Sequence, residues 1–402
     1  MKQVLFVDDE PMILEGLKRL LRPVRDRWEM HFESDAARAL TRIEQHRYDV
    51  VVSDMRMPNF TGVDVLRHAK EHCPEAVRIG LSGHADAQLA LEAARVTHQF
   101  LAKPCDAAQL IGAVDRIVRL QNRLNNEDLR RQVAGLSSLP SLPSLYLRIT
   151  REAAAPSGSL ESVGDIIGQD LAMTAKVLQL VNSAYFGLRT HVASARQAAT
   201  ILGLDAIRAI VLTVELFESF DADAEADDLE RLRLHSVATG AIARRIAEHL
   251  GLDRRTADQA LLGGMLHDVG KLIEISRIQR AYRLVQGLVQ KAGVPETEAE
   301  QQLLGCTHAE LGAYLLTLWG FPTPVVEAVL HHHRPGESPD REASALTAVH
   351  IANALDAHAT GRAAPDLDER YLRRLGLPVQ IEAWRAALDT EPKKDLAETD
   401  HG

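Results

Sequence analysis

The sequence predicts two folded parts, a doubly wound α/β domain over about residues 1–123 and an all-helical domain over about residues 144–385. Three observations carry this. Short β-branched runs alternate with helical patterns through the first part, as in βαβ units with a parallel sheet. A Pro- and Ser-rich break comes next, Gly135-Leu-Ser-Ser-Leu-Pro140-Ser-Leu-Pro143, which reads as a boundary. Helical periodicity then runs on almost to the end. At 402 residues the chain has room for a sizeable core in each part.

In the first part, Val4–Val7 and Val50–Ser53 are nearly continuous in apolar residues, as strands buried on both faces should be. Arg78–Ser82 and Gln99–Ala102 come after them as further strands. Between them lie helical stretches at Pro11–Leu21, Ser34–Gln45, Gly62–His72, Asp86–Arg95 and Asp106–Arg123. Pro11 suits a first helical turn and Asp106 an N-cap. Five such units make a flavodoxin-like sheet. The last helix overruns the domain into a linker over 124–143. Leu110, Val114, Ile117 and Leu124 keep near-heptad spacing, but Gln121 and Asp128 interrupt it. A short dimerising helix is therefore expected, and with it a homodimer, but no long coiled coil.

The second part reads as helices at Leu171–Ser183, Ser194–Leu202, Asp205–Phe217, Leu234–Leu250, Arg255–His267 and Ala309–Trp319. The acidic run Asp221–Glu230 reads as a solvated loop or a helix start. Asn182–Gly187 is read first as a helix C-terminus closed by Gly187, with a partner-binding surface as the alternative. Residues 386–402, polar from about Glu391, are expected to form a disordered tail.

Composition narrows the function. Apolar residues make up 46% and charged residues 25% of the chain, the balance of a globular protein. The formal net charge of -10 argues against a broad grip on nucleic acid, so DNA is not an expected partner. Cys73, Cys105 and Cys306 lack CxxC spacing, which points to a reducing compartment, without a disulfide framework or zinc knuckle. The N-terminus lacks the regions of a signal peptide. No apolar run approaches the ~18–20 residues of a membrane span. A soluble, cytoplasmic protein is expected.

Phosphoryl chemistry on a carboxylate needs a hard divalent cation, a nucleophilic carboxylate and a positive side chain. Asp8 and Asp9 come just after the first strand, Asp54 after Val50–Ser53, Ser82 ends the strand before last, and Lys103 comes after the last. In open α/β sheets ligands bind at the carboxyl ends of the strands, so topology brings these positions together. Carboxylate oxygens suit Mg²⁺, Asp54 would form an acyl phosphate, and Lys103 and Ser82 would meet its oxygens. Val4-Leu-Phe-Val-Asp-Asp-Glu-Pro11, Ser53-Asp-Met-Arg-Met-Pro58 and Phe100-Leu-Ala-Lys-Pro104 resemble receiver domains of bacterial response regulators. The resemblance implies phosphorylation of Asp54 by a sensor histidine kinase. It implies Mg²⁺ held by Asp8, Asp9, Asp54 and the backbone carbonyl of Arg56, and a switch pair of Ser82 and Phe100. Thr61 departs from the Asp often found before Gly62.

In the helical part His235, His267-Asp268, His308 and His331-His332-His333 recur at intervals that suggest a shared buried cluster. Imidazoles and a carboxylate converging from several helices could hold a metal for phosphodiester hydrolysis, or be satisfied core pairs. Leu266-His-Asp-Val-Gly-Lys271 resembles the HD superfamily of metal-dependent phosphohydrolases. Leu139-Pro-Ser-Leu-Pro143, Val181-Asn-Ser-Ala-Tyr-Phe-Gly187, His235-Ser236 and His332-His333 bring the region closer to one branch, the HDOD (HD-related output) domain. Most HDOD members are regarded as signalling modules without established catalysis. The resemblance places His235, His267, Asp268, His308 and His332 or His333 at metal-ligand positions, for Fe, Mn or Zn. Two departures weigh against catalysis. Asn353 stands where a closing Asp is usual. Arg231 stands where cyclic di-GMP-cleaving relatives carry a Glu.

The expected function is a phosphorelay response regulator whose HDOD module acts on an unidentified protein or nucleotide ligand. The alternative is a phosphorylation-regulated, metal-dependent phosphohydrolase, with a cyclic dinucleotide as one candidate substrate.

Overall fold

The structure, a computed structural model, describes residues 1–74, 76–82, 96–103, 108, 110–115, 143–155, 157–183, 186, 188, 191–220, 226–338, 340–360 and 367–390. The chain divides into two compact units, one made mainly of Met1–Ser144 and the other of most of the remaining chain.

The first unit holds β1 (Lys2–Val7), α1 (Pro11–Leu20), β2 (Trp28–Glu33), α2 (Ala36–Gln45), β3 (Val50–Asp54), α3 (Gly62–His72), β4 (Val77–Ser82) and β5 (Gln99–Ala102). The strands form one parallel sheet in the order β2-β1-β3-β4-β5. Alternate side chains feed two cores. Leu5, Val7 and Val51 pack on one face with α2 and α3, while Val4, Phe6, Val50 and Val52 pack on the other with α1 and with Leu110 and Val114. Burying each such side chain contributes about 1.5–3 kcal/mol, so both faces hold the register that aligns Val7 with Ser53 and Asp54 with Leu81. The order reverses between β1 and β3, which opens a crevice at the carboxyl edge.

Capping sets the helix starts. Asp35 accepts a hydrogen bond from the Ala37 amide at 2.8 Å, so α2 begins at Ala36, after the expected Ser34. Thr61, where the receiver resemblance has a departure, caps α3 in a reciprocal box with Asp64. The expected Asp86–Arg95 helix and most of the 124–143 linker lie outside the described residues. Of Asp106–Arg123, residues 110–115 are helical.

Helices are the regular secondary structure of the second unit's described residues, joined by turns and short loops. A helix at Ala226–His249 starts earlier than the expected Leu234, so His235 sits in its interior and not at its opening. Asp227 and Asp228 occupy its first turn, where carboxylates favour the helix dipole. Of the two readings of Asp221–Glu230, loop or helix start, residues 226–230 take the second, while residues 221–225 lie outside the described residues. The last helix, Ile381–Thr390, runs past the expected limit at 385 and so takes residues 386–390 out of the expected tail. Trp384, 1% exposed, anchors it in a core with Tyr371 and Leu372.

The Ala226–His249 and Arg254–Leu266 helices cross closely. A Cβ on Gly264 would lie 2.7 Å from the Cα of Gly240. This approach holds together the two helices that carry His235 and His267. Gly264→Ala should therefore cost about 1–3 kcal/mol through overpacking, read by chemical denaturation of the full chain; a change below ~0.5 kcal/mol would contradict the crossing.

Candidate phospho-acceptor and metal sites

At the carboxyl edge of the sheet, Asp8 comes just after β1, Asp54 ends β3, and Lys103 comes just after β5. Lys103 Nζ lies 2.8 Å from Asp8 Oδ2 and 2.9 Å from Asp54 Oδ1. Asp8, Asp9 and Asp54 each offer an oxygen within 4.8 Å of the others. Burial pushes the Asp54 carboxyl above the ordinary range, against the pull of Lys103. Burial also opposes the charge on Lys103, but its hydrogen bonds to Asp8 and Asp54 win and hold it above the usual lysine value. Arg56 lies in the exposed loop after β3. Ser82 ends β4, and Phe100 pairs with Gly80 across β4 and β5; their side chains lie outside the described part.

In the helical unit His235, His267, His308, His332 and His333 lie close together around Asp268, and His331 is not among them. His235 comes from the interior of Ala226–His249, and His267 and Asp268 from the junction of Arg254–Leu266 with Val269–Arg277. His308 opens His308–Leu318, and His332 and His333 lie just past Thr323–His331. Four rings have Nδ1 engaged outward. His267 Nδ1 donates to the Gly264 carbonyl and His332 Nδ1 to the Val329 carbonyl, each at 2.7 Å. His235 Nδ1 lies 2.6 Å from Asp356 Oδ2, and His308 Nδ1 lies 2.7 Å from Glu300 Oε1. Such outer partners fix the tautomer and turn the Nε2 lone pairs inward.

Those inward nitrogens face one another. His235 and His267 Nε2 are 3.1 Å apart, and His308 Nε2 lies 3.0 Å from His333 Nε2 and 3.4 Å from His332 Nε2. Facing lone pairs at this range need positive charge between them. Asp268 is shared by both groups: Oδ2 lies 3.4 Å from His267 Nε2, and Oδ1 lies 3.1 Å from His308 Nε2. Oδ1 is buried yet makes no well-aligned hydrogen bond. Two sets of donors, His235/His267/Asp268 and Asp268/His308/His332/His333, therefore fit a cation each.

Without a metal, protons and a lysine carry that charge. Burial opposes a charged His308, but Glu300 and Asp268 outweigh it and push the imidazole up to about 10. Burial, with neighbouring imidazoles, drives His332 and His333 well below the usual histidine value. Lys271 Nζ lies 3.1 Å from Asp268 Oδ2 and 2.8 Å from Glu296 Oε2. Burial works against Glu296 ionising, but Lys271 prevails and brings its carboxyl to about 2. Gly270 permits the assembly, since a Cβ there would lie 2.0 Å from the His308 carbonyl oxygen.

Sequence reading missed four acids here. Glu300 and Asp356 hold the Nδ1 atoms of His308 and His235, Glu296 pairs with Lys271, and Glu274 is fully buried with both oxygens unpartnered. Burial and the nearby Glu300 push Glu274 well above the ordinary carboxylate range. Asp356 lies one turn after Asn353 on the same helix, a spacing that could have flagged it. Asn353 itself is buried. Arg231 is exposed and pairs with Asp228.

The response regulator receiver domain family matches residues 4–115, and the HDOD domain family matches residues 139–335. A solved HDOD domain protein of unknown function from Geobacter sulfurreducens is 26% identical, with a TM-score of 0.54 over 67% of this chain and 94% of that one. The hydrogenase transcriptional regulatory protein HoxA of Cupriavidus necator is 24% identical over 77% of this chain and 63% of its own length. An uncharacterized protein of Treponema pallidum is 26% identical over 62% of this chain and 49% of its own. The chain thus spans 49% and 63% of the length of these two relatives. It is a receiver domain joined to an HDOD domain. With both families matched in that order, the chain belongs to the response regulators. No described helix is long and apolar enough to cross a membrane.

Lys271 is 7% exposed and paired on both sides. Lys271→Ala should cost about 3–5 kcal/mol, the penalty for leaving buried carboxylates uncompensated. Urea unfolding of the full chain reads this, and a loss under ~1 kcal/mol would contradict the role of the pair.

Proposed function

We propose that a histidine kinase phosphorylates Asp54 and that the phosphorylated receiver controls the HDOD domain, which acts through contact with a protein or small ligand. The observation that carries this is the meeting of Asp8, Asp9 and Asp54 with Lys103 at one sheet edge. In this reading the Asp54 carboxylate attacks the phosphorus of a phosphohistidine. The P–N bond breaks, the electron pair returns to the kinase imidazole, and an acyl phosphate forms. Lys103 transfers its ion pair from Asp54 to the phosphoryl oxygens, and Ser82 donates to one of them. Mg²⁺ held by Asp8, Asp9, Asp54 and the Arg56 carbonyl would neutralise phosphate charge. Phe100 repacks with Ser82, and the linker passes the change on, in a homodimer held by that linker. Phosphorylation must then favour one domain arrangement by a few kcal/mol. The compartment of such a phosphorelay is the cytoplasm.

A second reading, a metal-dependent phosphohydrolase, is favoured by the fit of His235, His267, Asp268, His308, His332 and His333 to a cation. Mixed imidazole and carboxylate donors suit Fe, Mn or Zn, which would polarise a phosphate ester and lower the pKa of bound water. The positioning groups are Glu300 and Asp356, which hold His308 and His235 in their ligand tautomers.

Acetyl phosphate with Mg²⁺ should label the wild-type chain and leave Asp54→Asn unlabelled, as read by phosphate-affinity electrophoresis. Equal labelling of both would refute Asp54 as the acceptor.

A further inference from the structure

A cleft of about 920 Å³ opens in the helical domain, beside the turn after His333 and the helix Glu369–Arg374. Its size lies in the range of small-molecule sites. Four arginines line it, Arg334, Arg341, Arg370 and Arg374, against two carboxylates, Glu337 and Asp368. This is an excess of positive charge in a chain whose net charge is -10.

The two acids are already engaged. Glu337 lies 3.7 Å from Arg334, and Asp368 accepts a hydrogen bond from the Tyr371 amide at 2.9 Å. The Arg374 guanidinium lies over the Tyr371 ring, 5.3 Å from its centre, which holds it in place without satisfying its charge. Arg341 and Arg370 have no ion-pair partner among the described residues. Arg341, Arg370 and Arg374 thus have no carboxylate within ion-pair distance among the described residues, and guanidinium groups so placed around a cleft suit a phosphate, whose oxygens take paired N–H donors.

The cleft also leads inward. His235, His267, His308 and His332 are at most 4% exposed, whereas His333 is only partly buried and lines the cleft. Its Nε2 lies 3.0 Å from His308 Nε2. His333 thus connects the cleft to the histidine cluster.

We propose that this cleft binds a phosphate-bearing small molecule of about nucleotide size, held by Arg341, Arg370 and Arg374 with a phosphate directed toward His333. This deepens the reading of the HDOD domain as a ligand-responsive module and needs no metal, because the arginines supply the recognition.

Pyrophosphate is the probe, titrated by calorimetry into the full chain carrying Asp54→Asn, in EDTA. That background removes the receiver's acceptor and its Mg²⁺, so failure of the Asp54 reading leaves this result untouched. Saturable binding near one site per chain is expected, weakened at least about tenfold in Arg341→Gln/Arg370→Gln, which is roughly 1.4 kcal/mol. Both arginines are exposed, so the thermal unfolding midpoint should stay unchanged. Arg231→Gln, also exposed but paired to Asp228, should bind as the parent does. Undiminished binding in the double variant, equal weakening in Arg231→Gln, or no saturable heat at millimolar pyrophosphate would overturn the proposal.

Discussion

Carboxylates gathered away from water must be matched by positive charge, and each domain of this protein is arranged around one such gathering. In the receiver, Lys103 bridges Asp8 and Asp54, and Asp9 lies close beside them. In the HDOD domain Asp268 and Glu296 share Lys271, and Glu300 is matched by a proton on His308. Taking such ions out of water costs several kcal/mol each, and only good geometry and opposite charge recover it. In the function proposed above, a divalent cation and then a phosphoryl group would enter the first site, and the facing ring nitrogens of the second would take up a cation.

The two domains reach this state by different routes. A parallel sheet delivers its reacting residues to one edge by topology, since every strand ends on the same side and the next side chain is already in place. The helical domain must bring separate helices close enough for ring nitrogens to face one another at 3.0–3.4 Å. Glycines make that possible: Gly240 and Gly264 at one crossing, and Gly270 against the His308 carbonyl. The outer carboxylates Glu300 and Asp356 then hold the rings at fixed tautomers.

This difference explains what was legible in the sequence. Gln99–Ala102 and Gly62–His72 could be read to the residue, because strand and helix patterns alternate regularly there, and in the structure the Thr61 cap fixes the start of the helix. Asp8, Asp54 and Lys103 were legible because their placement needs only a strand end. The histidines singled out in the helical domain stood out by residue type, and all but His331 do converge. The acids around them did not, because a glutamate on a helix usually faces water, and only tertiary packing distinguishes Glu274 or Glu300 from a surface residue. The acidic run Asp221–Glu230 reads equally as a loop or a helix start, so the opening of the helix that carries His235 is ambiguous in the sequence, and Asp227 and Asp228 in its first turn decide it. The arginine-lined cleft draws on Arg334, Arg341 and Arg370, which are separated in sequence and carry no local pattern.

The central claim is that convergent, undercompensated donors around Asp268 form a cation site. Elemental analysis of the purified full chain, set beside Asp268→Ala, tests it most directly. The account predicts near-stoichiometric Fe, Mn or Zn in the wild-type chain, lost in a variant that keeps its helical content. A folded wild-type chain that carries no metal and takes up none when these ions are supplied would contradict it.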